Sequence, residues 1–386
     1  MKKVVMVAAP FHSIPPNKGA AVEWWIYQVC KRLTHYEPHI ISICEGNEPE
    51  LENRSGVTIH RIRFGWLYKR IFQKAMWLDP LSYAYRADRI LSQVGADIVH
   101  VHNMPALFLK LAKLGRESDR HYILHMHNEK QDPNLDNNCT LLVVSRYLEN
   151  YYRKILPEAH IQIIPNGADV DLIRPKWEKT VAPNFRNLRT KIPHENKVIL
   201  YAGRMSPEKG PLKLVKAFSE LRKQRQDVFL LLAGEFVTRK NNDRTAYGVL
   251  VRSECEKMQG FCELLGNVAP DEMQSVYHHA DLVVMPSEFE EPFGMVAIEA
   301  MAAGVPVMVA KKGGLVEFIE DRRTGIFIRQ PDDPVDFANQ LSETLNDDQL
   351  LKEMAHNARR QVEESFTWDV VVRRTEHAYA AVTRRR

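Results

Sequence analysis

Leu282-Val283-Val284-Met285-Pro286-Ser287-Glu288-Phe289-Glu290-Glu291-Pro292-Phe293-Gly294-Met295-Val296-Ala297-Ile298-Glu299 is the stretch on which the reading of the chain turns. Leu282–Met285 is a short, unbroken apolar run, the pattern of a strand covered on both faces. An acidic loop bounded by prolines follows, and Met295–Ala303 then reads as a helix ending near Gly304. Strand, charged loop and helix form the unit of an open parallel α/β sheet, whose ligands bind beyond the carboxyl ends of the strands. The first turn of the helix leaves backbone N–H groups around Gly294 to Val296 without internal partners, a setting that attracts phosphate. Glu291 and Glu299 lie eight residues apart. One carboxylate can meet a sugar while the other accepts from ribose hydroxyls. The same residues also fit a solvated acidic loop beside a helix dipole.

Outward from this segment the pattern repeats. Strand candidates in the first half are Val4–Ala9, Ile40–Cys44, Ile98–His102, Tyr122–Met126, Leu141–Val144 and Ile161–Ile164. Those in the second half are Val198–Ala202, Val228–Ala233, Leu282–Met285 and Val305–Val309. Helical patterns at Ala20–Leu33, Asp88–Val94, Leu212–Arg225, Asp271–His279, Met295–Ala303 and Leu315–Glu320 lie between them. A polar, proline-punctuated stretch near 172–195 separates the halves. The expected fold class is α/β: two Rossmann-like, doubly wound parallel-sheet domains, residues 1–175 and 190–365, with a ligand cleft between them.

Two further strand exits carry candidate chemistry. Gly203-Arg204-Met205-Ser206-Pro207-Glu208-Lys209-Gly210 places Arg204 and Lys209 where a departing diphosphate would gain charge. It is not a Walker loop, and on its own it also fits a basic surface turn. Pro15-Pro16-Asn17-Lys18-Gly19 follows the first strand, and Gly19 permits close backbone approach. No Gly-x-Gly-x-x-Gly is present there, which disfavours a nicotinamide enzyme. His100 and His102, then His125 and His127, stand two apart at strand ends, so each pair shares a face. With no carboxylate or cysteine at ligand spacing, they read as core residues with one catalytic member rather than as a metal site. Asp169-Val170-Asp171 reads as a cap or linker element.

Composition sets the outer limits. The 386 residues are 45% hydrophobic and 26% charged, values of a globular chain of about two domains. A net charge of +4 is too mild to point to nucleic acid. The five scattered cysteines contain no Cys-x-x-Cys and read as reduced thiols of a cytosolic protein. The N-terminal apolar stretch is short and holds Pro10, so it reads as a first strand rather than a leader.

Taken together, Lys18-Gly19-Ala20, His127-Asn128, Ser145-Arg146-Tyr147-Leu148, Pro165-Asn166-Gly167, Gly203-Arg204 with Lys209-Gly210, and Glu291 through Glu299 resemble the retaining glycosyltransferases of family four, which have the GT-B fold. The match covers essentially the whole chain and ends at Phe366-Thr367-Trp368-Asp369. Where the family often has Gly-Gly, this chain has Lys18-Gly19. Phe11–Pro16, Gly19–Val29, Tyr68–Lys74 and His125-Met126-His127-Asn128 are similar to the lipopolysaccharide-core N-acetylglucosaminyltransferases of enteric bacteria.

The resemblance implies a donor site in which Arg204 and Lys209 hold the diphosphate, with Gly19 and the backbone of Phe293, Gly294, Met295 and Val296 assisting. Glu299 would accept from the ribose, Glu291 would hold sugar hydroxyls, and His127 would face the C6 region of the transferred sugar. It implies a UDP-sugar donor, best read as UDP-N-acetylglucosamine, a lipopolysaccharide-core or other glycolipid acceptor, front-face transfer with no metal or cofactor, and a final helix (366–386) packed on the N-terminal domain. A UDP-glucose or UDP-galactose transferase is the alternative within the class. A non-catalytic GT-B-like binding protein, or an epimerase or phosphorylase, is the alternative outside it.

Phe64–Leu78 has apolar residues at 67, 68, 71, 72, 75, 76 and 78 on one helical face, with Lys69, Arg70 and Lys74 opposite. This fits an interfacial helix, as well as a helix packed on its own domain. With the basic end Arg384-Arg385-Arg386, it suggests a cytoplasmic protein held peripherally at the inner membrane.

Overall fold

The computed structural model describes residues 1–16, 21–65, 81–178, 192–193, 195–236 and 243–384. The chain divides into two compact units, Met1–Gly167 with Trp368–Arg386, and Ala168–Thr367.

The first unit is built on β1 (Lys2–Val7), β2 (Tyr36–Ile43), β3 (Leu51–Arg54), β4 (Val57–Ile62), β5 (Ile98–His102), β6 (His121–Met126), β7 (Thr140–Val143) and β8 (His160–Ile163). Their order across the sheet is β3-β4-β2-β1-β5-β6-β7-β8, parallel except where β3 runs against β4. Four consecutive residues of β1 and all five of β5 are buried, as unbroken apolar runs between two layers of helix require. The last helix, Trp368–Thr383, belongs to this unit: Tyr379 and Trp368 join the core around Val4, Met6 and Trp25.

The second unit carries β9 (Lys197–Ala202), β10 (Val228–Ala233), β11 (Cys262–Gly266), β12 (Leu282–Met285), β13 (Val307–Val309) and β14 (Ile326–Phe327), all parallel. Their order is β11-β10-β9-β12-β13-β14, the doubly wound arrangement that reverses direction between β9 and β12. All of β10 is buried, and its core includes Phe218, Leu221 and Phe337 from flanking helices.

Several expectations are corrected. The start of the stretch read as the divide, near 172–195, is anchored: Lys176 N–H donates to Ala303 O at 2.9 Å, and just before it Ala168 N–H donates to Phe366 O at 2.7 Å. Arg359 also donates to the carbonyls of Val170, Ile173 and Ala302, which ties residues 170–173 to the second unit. Leu315–Glu320 is not an α-helix; a 3₁₀ turn at Gly313–Glu317 replaces it. Strands β3, β4, β11 and β14 and the helices Pro105–Leu114, Arg146–Arg153, Pro334–Leu345 and Asp348–Ser365 were not expected. Gly19 and the segment's cationic residues Lys69, Arg70 and Lys74 lie outside the described residues. Among the described residues no helix is long and apolar enough to cross a membrane.

Candidate active site of the second unit

The reversal point of the second sheet leaves the carboxyl ends of β9 and β12 side by side, and each feeds one of the two charged loops. Beyond β9, a 3₁₀ turn at Pro207–Lys209 closes on Gly210, whose φ of 69° is left-handed. A Cβ at Gly210 would lie 2.1 Å from the Pro286 carbonyl oxygen, so only glycine lets the two loops approach this closely. Glu288 N–H donates to Glu208 O at 2.9 Å and completes the seam.

Across that seam Lys209 Nζ donates to both oxygens of Glu291, at 2.7 and 3.0 Å. Ser287 Oγ donates to Glu291 Oε1 at 2.6 Å, and the same ammonium lies 4.6 Å from the centre of the Phe289 ring. The Glu291 residue is only 4% exposed. A carboxylate so deeply set is tolerated because a cation and a hydroxyl both bond to it. Its own carbonyl accepts the Gly314 N–H at 2.7 Å, so the 3₁₀ turn that displaced the expected helix holds the acidic loop from behind. Arg204 is the outward member of the cationic pair: its side chain is 57% exposed, with Nη1 3.9 Å from Glu208 Oε1.

The helix Met295–Ala302 starts directly after the acidic loop, capped by Gly294 at φ 108°. Its ladder opens with Ala297 and Ile298 donating to Gly294 O, which places the N–H groups of Met295 and Val296 at the free end. Phe293 is buried against Phe318 and Phe366 and anchors the turn. One helical turn further in, Glu299 accepts from the Tyr277 hydroxyl at 2.9 Å. Burial raises the Glu299 carboxyl to about 7, opposed by that hydrogen bond. Burial, with the adjacent Glu299, pushes the Tyr277 phenol well up.

His127 stands at the end of β6 in the first unit. Its Nε2 lies 3.3 Å from His102 Nδ1, and the Asn166 side chain bonds to the ring. Burial takes its pKa down to about 3, so the ring is neutral near pH 7. The two histidine pairs, read separately from sequence, form one patch, because parallel pairing sets His102 opposite His125. Asp169 accepts from Leu172 N–H at 3.1 Å and so caps a turn.

Sequence reading missed Ser287, Phe289 and Tyr277. Ser287 and Phe289 sat inside the quoted loop, but a single sequence gives no sign of which loop side chains turn inward. Tyr277 lies 22 residues from Glu299, and only the fold brings the two together.

Residues 22–172 match the model of Glycosyltransferase Family 4, and residues 186–361 that of Glycosyl transferases group 1. The lipopolysaccharide 1,2-N-acetylglucosaminetransferase of Salmonella typhimurium is 35% identical over 382 residues, covering 97% of each chain. The chain belongs to the family 4 glycosyltransferases. Its fold is similar to the sucrose-phosphate synthase of Thermosynechococcus elongatus (TM-score 0.79, 19% identity, 99% of this chain and 100% of that one). Anabaena HepE, solved with UDP and glucose, gives a TM-score of 0.74 at 18% identity over 99% of this chain and 100% of that one. These likenesses establish the α/β GT-B fold of this glycosyltransferase.

Proposed function

We propose that this glycosyltransferase moves a sugar, best read as N-acetylglucosamine, from a UDP-sugar to a lipopolysaccharide-core oligosaccharide with retention at the anomeric carbon and without a metal ion in the transfer step. The observation that carries the reading is the Lys209–Glu291 pair, set across the switch point beside the free N-terminus of the Met295–Ala302 helix. The resemblance to the Salmonella enzyme supports the choice of sugar and acceptor.

In this reading Arg204, Lys209 and the N–H groups of Gly294, Met295 and Val296 surround the donor diphosphate. The C1–O bond breaks, its electron pair passes to the β-phosphate oxygen, and these donors stabilise the charge that develops there. The acceptor hydroxyl attacks from the same face and gives its proton to the departing phosphate. Glu291, fixed by Lys209 and Ser287, accepts from the sugar hydroxyls and orients the ring. Glu299 accepts from the ribose, and those new donors favour its ionised form.

A thermal-shift panel of UDP-, ADP- and GDP-sugars tests the donor assignment. A ligand at a hundred times its Kd stabilises by about 2.7 kcal/mol, so UDP-sugars should raise the Tm by several degrees and the others should not. Stabilisation by ADP- or GDP-sugars alone contradicts the UDP assignment.

A further inference from the structure

The core of the first unit holds a polar group that the transfer reaction does not use. His100 and His102 on β5 and His125 on β6 are each 0% exposed, and one nitrogen from each lies within 4.8 Å of the others. Residues two apart in a strand face the same way, and the register sets His102 directly opposite His125, so the three rings share one side of the sheet. Trp25 closes that side, its ring 4.7 Å from His125 and 5.1 Å from His102.

A buried ring nitrogen without a hydrogen bond costs about 1–3 kcal/mol, and this cluster holds several. Among the described residues, His100 Nε2 and His102 Nε2 have no hydrogen-bond partner, and neither nitrogen of His125 makes a well-formed one, the Ile164 backbone being its nearest polar support. The opposite nitrogens are supported from outside the cluster. His100 Nδ1 is 2.7 Å from the Tyr379 hydroxyl, and His102 Nδ1 is 3.3 Å from His127 Nε2. In His100 and His102, one nitrogen tied to an outer partner and the other left free is the arrangement of metal-bound imidazoles.

We propose that His100, His102 and His125 bind one divalent transition ion of the zinc class, which fastens the last helix to the sheet through Tyr379. Three neutral imidazoles suit zinc, cobalt or nickel, whereas magnesium and manganese prefer oxygen donors. A tetrahedral ion about 2.0–2.1 Å from each nitrogen requires ligand spacings near 3.3 Å, and the three nitrogens already lie within 4.8 Å of one another. The ion is structural. It lies within the first unit and takes no part in the site built on Lys209 and Glu291.

The test uses the full-length, untagged chain, refolded with zinc or cobalt, dialysed against EDTA and assayed for metal. The expected result is about one ion per chain, a higher Tm than the metal-free sample, and the strong visible absorption of low-coordinate cobalt. His102→Asn with His125→Gln should lose the ion, whereas His39→Asn with His60→Asn, a second histidine pair in the same unit, should keep it. Tyr379→Phe should weaken metal affinity about ten- to a hundredfold. A wild-type chain that retains no ion overturns the proposal, as does an ion unaffected by the His102/His125 change. If that double variant does not fold, the wild-type cobalt spectrum decides: an octahedral or sulfur-ligand spectrum rejects the imidazole site.

Discussion

At the scale of single residues, the site rests on two carboxylates in opposite circumstances. Glu291 is held between Lys209 and Ser287, whereas among the described residues Glu299 is bonded by the Tyr277 hydroxyl alone. Glu291→Gln keeps the shape but loses the ionic pair, and Lys209→Ala removes a donor beside developing charge. Each should lower kcat about 10²- to 10³-fold with native circular dichroism retained, and near-normal turnover in either variant would dismiss the assignment. Lys209→Ala should also destabilise by about 1–3 kcal/mol, because it strands a buried carboxylate. Glu299 carries a pH signature. Its folded pKa of about 7 lies above the ordinary 4.5, so the folded chain holds a proton that the unfolded chain has released. Its stabilising effect is therefore complete below pH 4.5 and is lost as pH rises through 7, a change of order 3 kcal/mol. Urea titrations of the wild type across that window should show the decline relative to Glu299→Gln, and parallel curves would refute it.

At the scale of elements, close backbone approach does the positioning. Gly210 and Gly294 both have positive φ, and a Cβ would strike the Pro286 carbonyl in one case and Leu315 Cδ2, at 2.4 Å, in the other. Gly266 has a similar φ of 68° but open space around it. Gly266→Ala should therefore cost only the left-handed strain, about 1–2 kcal/mol, whereas Gly210→Ala should cost more and abolish nucleotide binding. Equal losses of Tm in the two variants would deny the seam its role.

The same scale shows what was legible in the sequence. Strands β5, β10 and β12 were found at their observed limits, because strands buried on both faces are unbroken apolar runs. Strand β11 was not, since every one of its residues is half-buried and its run is mixed. The hairpin of β3 and β4 turns on Ser55 and Gly56, both at positive φ, a two-residue turn signal that was passed over. The charged loops were legible because Glu291, Lys209 and Gly294 lie in short, unusual contexts. Their pairing was not, since Lys209 and Glu291 are 82 residues apart in sequence. The histidine patch was hidden for the same reason: it depends on the register of two strands.

At the scale of the whole molecule, two expectations concern conditions rather than contacts. Transfer should proceed in EDTA with no added magnesium or manganese if, as proposed, Arg204, Lys209 and a helix terminus supply the positive charge. Metal analysis of the same sample separates this from loss of an ion in the histidine cluster. Activity restored only by manganese or magnesium would contradict the account. The basic residues Lys69, Arg70 and Lys74 motivate reversible attachment to an anionic surface, each adding roughly 1 kcal/mol. The protein should sediment with anionic vesicles at low salt and be released at high salt. Changing the three to glutamate should abolish sedimentation while donor hydrolysis in solution persists.

Retention in the proposed transfer of a UDP-linked sugar is read by proton NMR of the product formed from UDP-N-acetylglucosamine and a lipopolysaccharide-core acceptor. The expected product carries a new glycosidic linkage whose anomeric proton has the same α configuration as the donor. A β-linked product contradicts it, as does release of free sugar with no acceptor-linked product.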